Sequence, residues 1–232
     1  MDAAPAVCGD MLARGEAEVA LVPVIEYQRI PGLLVVPDVC VGSRERVRSV
    51  VLATRHKELK DIRTISLDVS SRTSSVLVQI IFREFLGFEP ECRPSVPDLG
   101  AMLDANDAAL IIGDPAMVFP RDDLQVHDLA GLWRAYTGLG FVFAMWMVRE
   151  SEVDKIHDID FAGARDEGLA HIDEIIDHYH PKLDLPRDQL RTYLSENITF
   201  SLDREMRAGL ELYFALAQKH EFILSDRPLK MA

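Results

Sequence analysis

Residues 63–86 change their hydrophobic period within a few positions, and that change fixes the class of fold. Ile65, Leu67 and Val69 alternate with Thr64, Ser66 and Asp68, the pattern of a half-buried strand. Leu77, Ile81 and Phe85 then recur every four residues with Val78 and Phe82 beside them, and Gly87 follows, so the spacing predicts a helix and its stop. Between the two periods lie Ser70, Ser71, Arg72, Thr73, Ser74 and Ser75. Ser71 or Thr73 is the expected N-cap. The remaining hydroxyls exceed what capping needs. The free N–H groups and positive dipole end of such a helix favour a carboxylate or phosphate there.

The same alternation of strands and helices runs along much of the chain. Residues 4–14 read as a helix, with Pro5 in its first turn and Gly15 at its end. Strands are expected at Glu18–Pro23, Leu33–Val36 (closed by Pro37), Arg48–Ala53, Glu91–Val96, Ala108–Ile112 and Phe141–Val148. Val24–Ile30 should turn helically, Val39–Ser43 should be a loop, and a charged stretch spans Arg55–Asp61. Asp98 caps a helix ending near Ala105, and Leu129–Tyr136 is a helix closed by Gly138. Beyond Ser151 the chain turns helical and charged, with helices over 160–178, 186–196 and 203–219, the last capped by Ser201. This order predicts an α/β protein built on parallel sheets with right-handed crossovers. Ligands in such sheets sit beyond the C-terminal strand ends. Three turns lie there: Pro23–Tyr27, Ser70–Ser75 and Gly113–Ala116. The first precedes the strand Arg48–Ala53 and the others follow it, which predicts two lobes around a cleft. Residues 1–53 with 144–232 would form one lobe and 54–143 the other.

Charge and composition narrow the partners. The 232 residues carry a net charge of −13, which argues against nucleic acid or an anionic membrane surface as a general partner. Apolar runs such as Phe141–Val148 are far too short to span a bilayer. The first ten residues lack the basic start and apolar core of a signal peptide. Cys8, Cys40 and Cys92 have no metal spacing, and a reducing cytoplasm suits them best. His171, Glu174, His178 and His180 cluster in sequence without a recognised ligand spacing, and no phosphate loop, nucleophile elbow or zinc pattern is present, so no metal is expected.

Several ordered motifs carry a family likeness. They are Val19-Ala-Leu-Val-Pro-Val-Ile-Glu-Tyr27, Ser43 with Val47-Arg-Ser-Val50, Asp68-Val-Ser-Ser-Arg-Thr-Ser74, and Leu110-Ile-Ile-Gly-Asp-Pro-Ala116. Leu132-Trp-Arg-Ala-Tyr-Thr-Gly-Leu-Gly-Phe-Val-Phe-Ala144 and Tyr193-Leu-Ser-Glu-Asn-Ile198 follow. Together they resemble the chorismate dehydratase family of the futalosine route to menaquinone. The likeness covers nearly the whole chain. It implies a two-lobed fold of the periplasmic-binding-protein type II kind, each lobe a mainly parallel sheet flanked by helices, working in the cytoplasm. It also implies water elimination from chorismate to 3-[(1-carboxyvinyl)oxy]benzoate without metal or organic cofactor. The family begins with a strand carrying Ser-Tyr-Leu-Asn, upstream of where this chain starts, and nothing here matches it; a truncated chain or a misassigned start is the corresponding expectation. Val24 also stands where the family often has a small polar residue. A lobe without that strand would expose a sheet edge, which predicts a homodimer. A solute-binding module for a small carboxylate, or an inactive form of the enzyme, are the alternative readings.

The resemblance places substrate binding at Ser71, Arg72, Thr73, Ser74, Gly113, Tyr27 and Ser43, and candidate catalytic groups at Asp114 and Glu26. Each has a structural counterpart. Arg72 either faces the ligand or pairs with Asp68 or another acid. Asp114 either orients the substrate hydroxyl or caps the segment after it. A negative Glu26 beside an anionic ligand is unfavourable unless paired, so a tie within the lobe competes with an acid–base role. Tyr27 packs, with its hydroxyl either in or out of the cleft. Trp133, Phe141, Phe143 and Trp146 read as core, one of them walling a ring pocket.

Overall fold

The computed structural model describes residues 3–55 and 57–232; His56 of the charged stretch and the first two residues of the expected first lobe lie outside the described residues. Two sheets carry the chain. The strands are β1 (Val19–Pro23), β2 (Leu33–Ser43), β3 (Val50–Thr54), β4 (Thr64–Asp68), β5 (Glu91–Ser95), β6 (Ala108–Ile112), β7 (Gln125–Asp128) and β8 (Phe141–Arg149). A three-stranded sheet has the order β1-β8-β2, and a five-stranded sheet has the order β5-β4-β6-β3-β7.

The expectation of mainly parallel sheets needs correction. β1 and β2 both pair antiparallel with β8, so they run in the same direction with β8 inserted between them. The alternating strand–helix pattern captures the common direction of β1 and β2. It says nothing of a strand that returns from the other sheet more than a hundred residues later and enters head-on. The second sheet is mixed for the same reason. β4 is parallel to β5 and β6, whereas β3 arrives from the first sheet and pairs antiparallel with β6 and β7. By sheet membership β3 sits with β4–β7, and all of β8 sits with β1 and β2.

β2 also differs from expectation. The strand does not close at Pro37, and Val39–Ser43 is not a loop. Pro37 and Asp38 bulge out of one continuous strand, with the register to β8 shifting between Val35 and Cys40. A bulge accommodates a residue that cannot donate to the ladder. Asp38 there adopts a left-handed φ of 60°.

Helix α1 (Pro5–Arg14) ends at Gly15, and α2 (Glu26–Arg29) is one turn between β1 and β2. Helix α3 (Arg72–Ile80) buries Val76, Leu77 and Ile80 and continues through a wider π-type turn over Ile81–Leu86 to Gly87. Helices α4 (Leu99–Ala105) and α6 (Leu129–Thr137) are capped by Asp98 and Asp128, each carboxylate accepting an amide of the first turn. The short helix α5 (Asp114–Val118) follows β6.

The expected helix over 160–178 is two helices, α7 (Phe161–Ala170) and α8 (Ile172–Leu183). Helix α7 contains Gly163 and Gly168 and buries no residue fully, so neither propensity nor packing carries it through His171. Helix α9 (Arg187–Thr192) runs into a π-type turn over Tyr193–Asn197. The last helix, α10 (Arg204–Lys219), is capped by Asp203 rather than Ser201, the carboxylate accepting the Met206 amide at 2.8 Å.

One contiguous core joins both sheets. It includes Val22, Val35 and Met145 from the first, Leu52, Ile65 and Leu110 from the second, and Leu77, Phe82, Trp133 and Phe214 from the helices. Each such side chain contributes about 1.5–3 kcal/mol of burial. Helix α10 crosses close enough to the 138–141 segment that a Cβ at Gly209 would stand 2.0 Å from the Gly140 carbonyl oxygen, so only glycine fits. The Tyr213 hydroxyl, fully buried, donates to the Thr73 carbonyl at 3.1 Å and ties this helix to the start of α3. No helix among the described residues is long and apolar enough to cross a membrane.

Candidate functional site

A cavity of about 670 Å³ lies where the two sheets meet. Its walls include α1, the length of β1, the entry to β3 (Ser49, Val50), the start of α3 (Ser71, Thr73, Ser74), the end of β6 (Ile112, Gly113) and β8 (Phe143, Ala144, Trp146). The lining is mostly apolar apart from the hydroxyls near α3 and β3 and the carboxyl groups of Glu16 and Glu18. Glu16 pairs with Arg14 and Glu18 with Lys155.

The turn after β4 explains its five hydroxyls one by one. Asp68 is buried and accepts the Ser70 amide at 2.8 Å, the Ser70 hydroxyl at 2.5 Å and the Ile112 amide at 3.3 Å. The Ser75 hydroxyl donates back to the Ser71 carbonyl at 2.5 Å. Thr73 Oγ1 accepts the buried Ile25 amide at 3.4 Å. The hydroxyls of Ser71 and Ser74 have no protein partner among the described residues. Ser71 takes the N-cap position with extended backbone, yet its side chain makes no capping bond. The first amides of α3, at Arg72, Thr73 and Ser74, are therefore left without a side-chain cap, and three residues of this segment line the cavity. Two free hydroxyls and a bare helix terminus facing an apolar cavity form an arrangement that receives an anionic oxygen.

Gly113 lines the same cavity with φ +68° and ψ −149°, a backbone region reserved for glycine. Its amide donates to the Ser49 carbonyl at 2.7 Å. No neighbour comes closer than 4.0 Å to the missing Cβ, so backbone conformation rather than space demands this glycine.

Five expected site residues do not line this cavity, and Arg72 is the first of them. Its guanidinium turns to Asp10 at 2.6 Å and to Glu26 at 3.3 Å. Burial opposes its charge, but the Asp10 hydrogen bond and the Glu26 charge outweigh it and raise its pKa above the ordinary arginine value. Glu26 is buried and held by Arg72 and by Arg29 at 3.5 Å, so it ties α1, α2 and α3 together and does not line the cavity. Tyr27 faces away: its hydroxyl donates to the Pro228 carbonyl at 2.7 Å and accepts the Lys230 amide at 2.9 Å, anchoring the C-terminal segment. Ser43 is buried at the end of β2, outside the cavity wall, with its hydroxyl lacking a partner among the described residues. Asp114 is exposed at the first turn of α5 and also absent from the wall. Of the aromatics, Phe143 and Trp146 wall the cavity, while Trp133 and Phe141 are core. Around the expected histidine cluster, His171 and His180 engage backbone carbonyls and His178 faces Lys182; no group of potential metal ligands forms among the described residues.

Sequence reasoning overlooked Ser49 and Tyr193 as a pair. Ser49 lines the cavity and is 5% exposed. The Tyr193 hydroxyl donates to Ser49 Oγ at 3.0 Å across 144 residues of chain. Burial raises the Tyr193 pKa, so the phenol stays protonated and keeps donating. With one lone pair of Ser49 Oγ taken, its own proton is free to point into the cavity. Both residues fell inside motifs quoted above, which was the available signal.

The model of the menaquinone biosynthesis family matches residues 1–219. A chorismate dehydratase of Thermus thermophilus is 30% identical, over 92% of this chain and 84% of that protein. Among solved structures, protein AF1704 of Archaeoglobus fulgidus superimposes with a TM-score of 0.66 at 16% identity, covering 96% of this chain and 86% of that one. The periplasmic aliphatic sulphonate-binding protein SsuA of Escherichia coli gives 0.58 at 13% identity, covering 100% and 82%. The fold is thus of the periplasmic-binding-protein kind, and the chain belongs to the menaquinone biosynthesis family.

Proposed function

We propose that this member of the menaquinone biosynthesis family removes water from chorismate, giving 3-[(1-carboxyvinyl)oxy]benzoate, in the cavity between its two sheets. The observation that carries this reading is the uncapped start of α3, with the unpartnered hydroxyls of Ser71 and Ser74, opening into an apolar cavity. A substrate carboxylate bound there takes the Thr73 and Ser74 amides and the two hydroxyls as donors. Phe143 and Trp146 offer flat apolar walls for the ring. Water loss makes the ring aromatic and is strongly downhill, so the protein's task is to fix the substrate, exclude solvent and ease the hydroxyl's departure. Ser49, oriented by Tyr193, is the group we assign to the leaving hydroxyl, and Gly113 holds the Ser49 backbone in place. The two domains follow the sheets, and the reaction needs neither metal nor organic cofactor. We further place it in the futalosine route and in the cytoplasm, with a homodimer as the working assembly.

Incubating the purified protein with chorismate and following the mixture by proton NMR tests the activity. Loss of the cyclohexadiene signals with matching growth of meta-substituted aromatic signals is the expected result. Unchanged chorismate after prolonged incubation at equimolar protein would overturn it.

A further inference from the structure

A second cavity, of about 940 Å³, lies on the other side of the segment that leads into β3. Neighbouring residues divide between the two: Ser49 and Val50 line the first cavity, Arg48 and Val51 the second. Four arginines, Arg46, Arg48, Arg121 and Arg134, line the second cavity. The chain has 38 acidic against 25 basic residues, so a guanidinium here ordinarily finds a carboxylate. Arg134 does, at Glu205 and Glu45. Among the described residues the other three do not. Arg48 hydrogen-bonds the neutral Gln189 side chain. Arg121 donates to the Ala116 carbonyl at 3.0 Å and lies over the Phe119 ring at 5.1 Å. Arg46 has no side-chain partner among the described residues.

Two carboxylates line the same cavity: Glu45 lies 3.6 Å from Arg134, and Asp128 is already spent. It accepts the amides of Val47 at 3.2 Å, Arg48 at 2.6 Å and Gly131 at 3.0 Å. Those bonds also hold Arg48 at φ +65°, a conformation that costs a non-glycine residue and that persists where the surroundings impose it. Burial first, and the positive charge of Arg48 second, hold the Arg121 guanidinium below the ordinary arginine value against the opposing charge of Asp128, so two like charges share a partly desolvated cavity. Such an arrangement is unfavourable by itself and becomes favourable when an anion lies between the forks.

We infer that this second cavity is an anion-binding site, distinct from the first, that takes a small molecule bearing phosphate or carboxylate groups on Arg46, Arg48 and Arg121. This inference does not depend on the activity proposed for the first cavity. The test is isothermal titration of the full chain at low salt with pyrophosphate and, separately, with citrate. Saturable binding of either is expected, and which one binds assigns the phosphate or the polycarboxylate class. Arg121→Ala should weaken that binding at least about tenfold, the effect of losing one charge-assisted donor. Arg121→Lys should keep part of it, and the thermal melts of both variants check that the fold is retained. A 3-substituted benzoate saturating the first cavity should leave the titration unchanged. The inference is overturned if neither anion binds saturably, if a folded Arg46→Ala/Arg121→Ala double variant binds as well as the parent, or if the benzoate displaces the anion.

Discussion

Ser74→Ala isolates the anion anchor from the fold that carries it. Ser74 is 3% exposed on the first turn of α3, lines the first cavity, and its hydroxyl makes no hydrogen bond to the protein among the described residues. Deleting that hydroxyl orphans no partner, and alanine is the better helix former. Stability should therefore move by no more than about 0.5 kcal/mol, the range of substitutions that break nothing. For a bound carboxylate the same deletion removes one charge-assisted hydrogen bond, about 1.5–3 kcal/mol, or roughly tenfold to a hundredfold in affinity. Thr73→Val is the contrasting control. Thr73 Oγ1 accepts the buried Ile25 amide, so its loss leaves that donor unpaired and should cost about 1–3 kcal/mol of stability. The assay is a urea melt paired with steady-state kinetics on chorismate. If Ser74→Ala lowers stability by several kcal/mol yet keeps chorismate affinity within twofold, the hydroxyl is structural and the assignment fails.

Three further expectations follow from the geometry. Tyr27→Phe removes the donor to Pro228 and the acceptor for Lys230; residues 224–232 should become protease-sensitive by limited proteolysis while KM for chorismate stays unchanged. Gly113→Ala forces an alanine into φ +68°, ψ −149° and should cost about 1–3 kcal/mol in a urea melt, with turnover falling as the Ser49 backbone shifts. Asp203→Ala removes the α10 cap and should cost about 1 kcal/mol at neutral pH. The Met206 amide and then Arg44 hold the Asp203 carboxyl below its ordinary value, so this stabilisation is present above the unfolded pKa and fades as pH falls through the folded one. The parent and the variant should thus converge in stability in acid, which melts at pH 7 and below pH ~3 would show.

What could be read from the sequence was local. The period switch over residues 63–86 was legible because strand, cap and helix stop lie within one contiguous stretch. Asp98 and Gly138 were legible for the same reason, since capping chemistry acts over three or four residues. Asp203 was missed because Ser201 satisfies the same local rule two positions earlier. The unread features are long-range. β8 enters between β1 and β2 from the opposite sheet, and period alone carries no information about a partner that far along the chain. The bulge at Pro37 looked like a strand end because proline ends strands unless the neighbour's register bends around it. Tyr27 sat in a site motif, yet the groups that claim its hydroxyl are about two hundred residues away. Ser49 and Tyr193 each look like ordinary polar residues until the fold brings them to 3.0 Å. In the hydroxyl-rich turn the sequence showed an excess over capping needs, but only the structure divides it: Ser70, Thr73 and Ser75 bond to the protein, while Ser71 and Ser74 have no protein partner among the described residues.

The anchor itself is open to direct observation by amide NMR of the ¹⁵N-labelled protein titrated with a 3-substituted benzoate that cannot react. The largest saturable shifts should fall on the Thr73 and Ser74 amides, with Gly113 following as the cavity fills. Largest shifts at Arg48, Arg121 and their neighbours, with the start of α3 unmoved, would mean that the carboxylate is held elsewhere and would contradict the account.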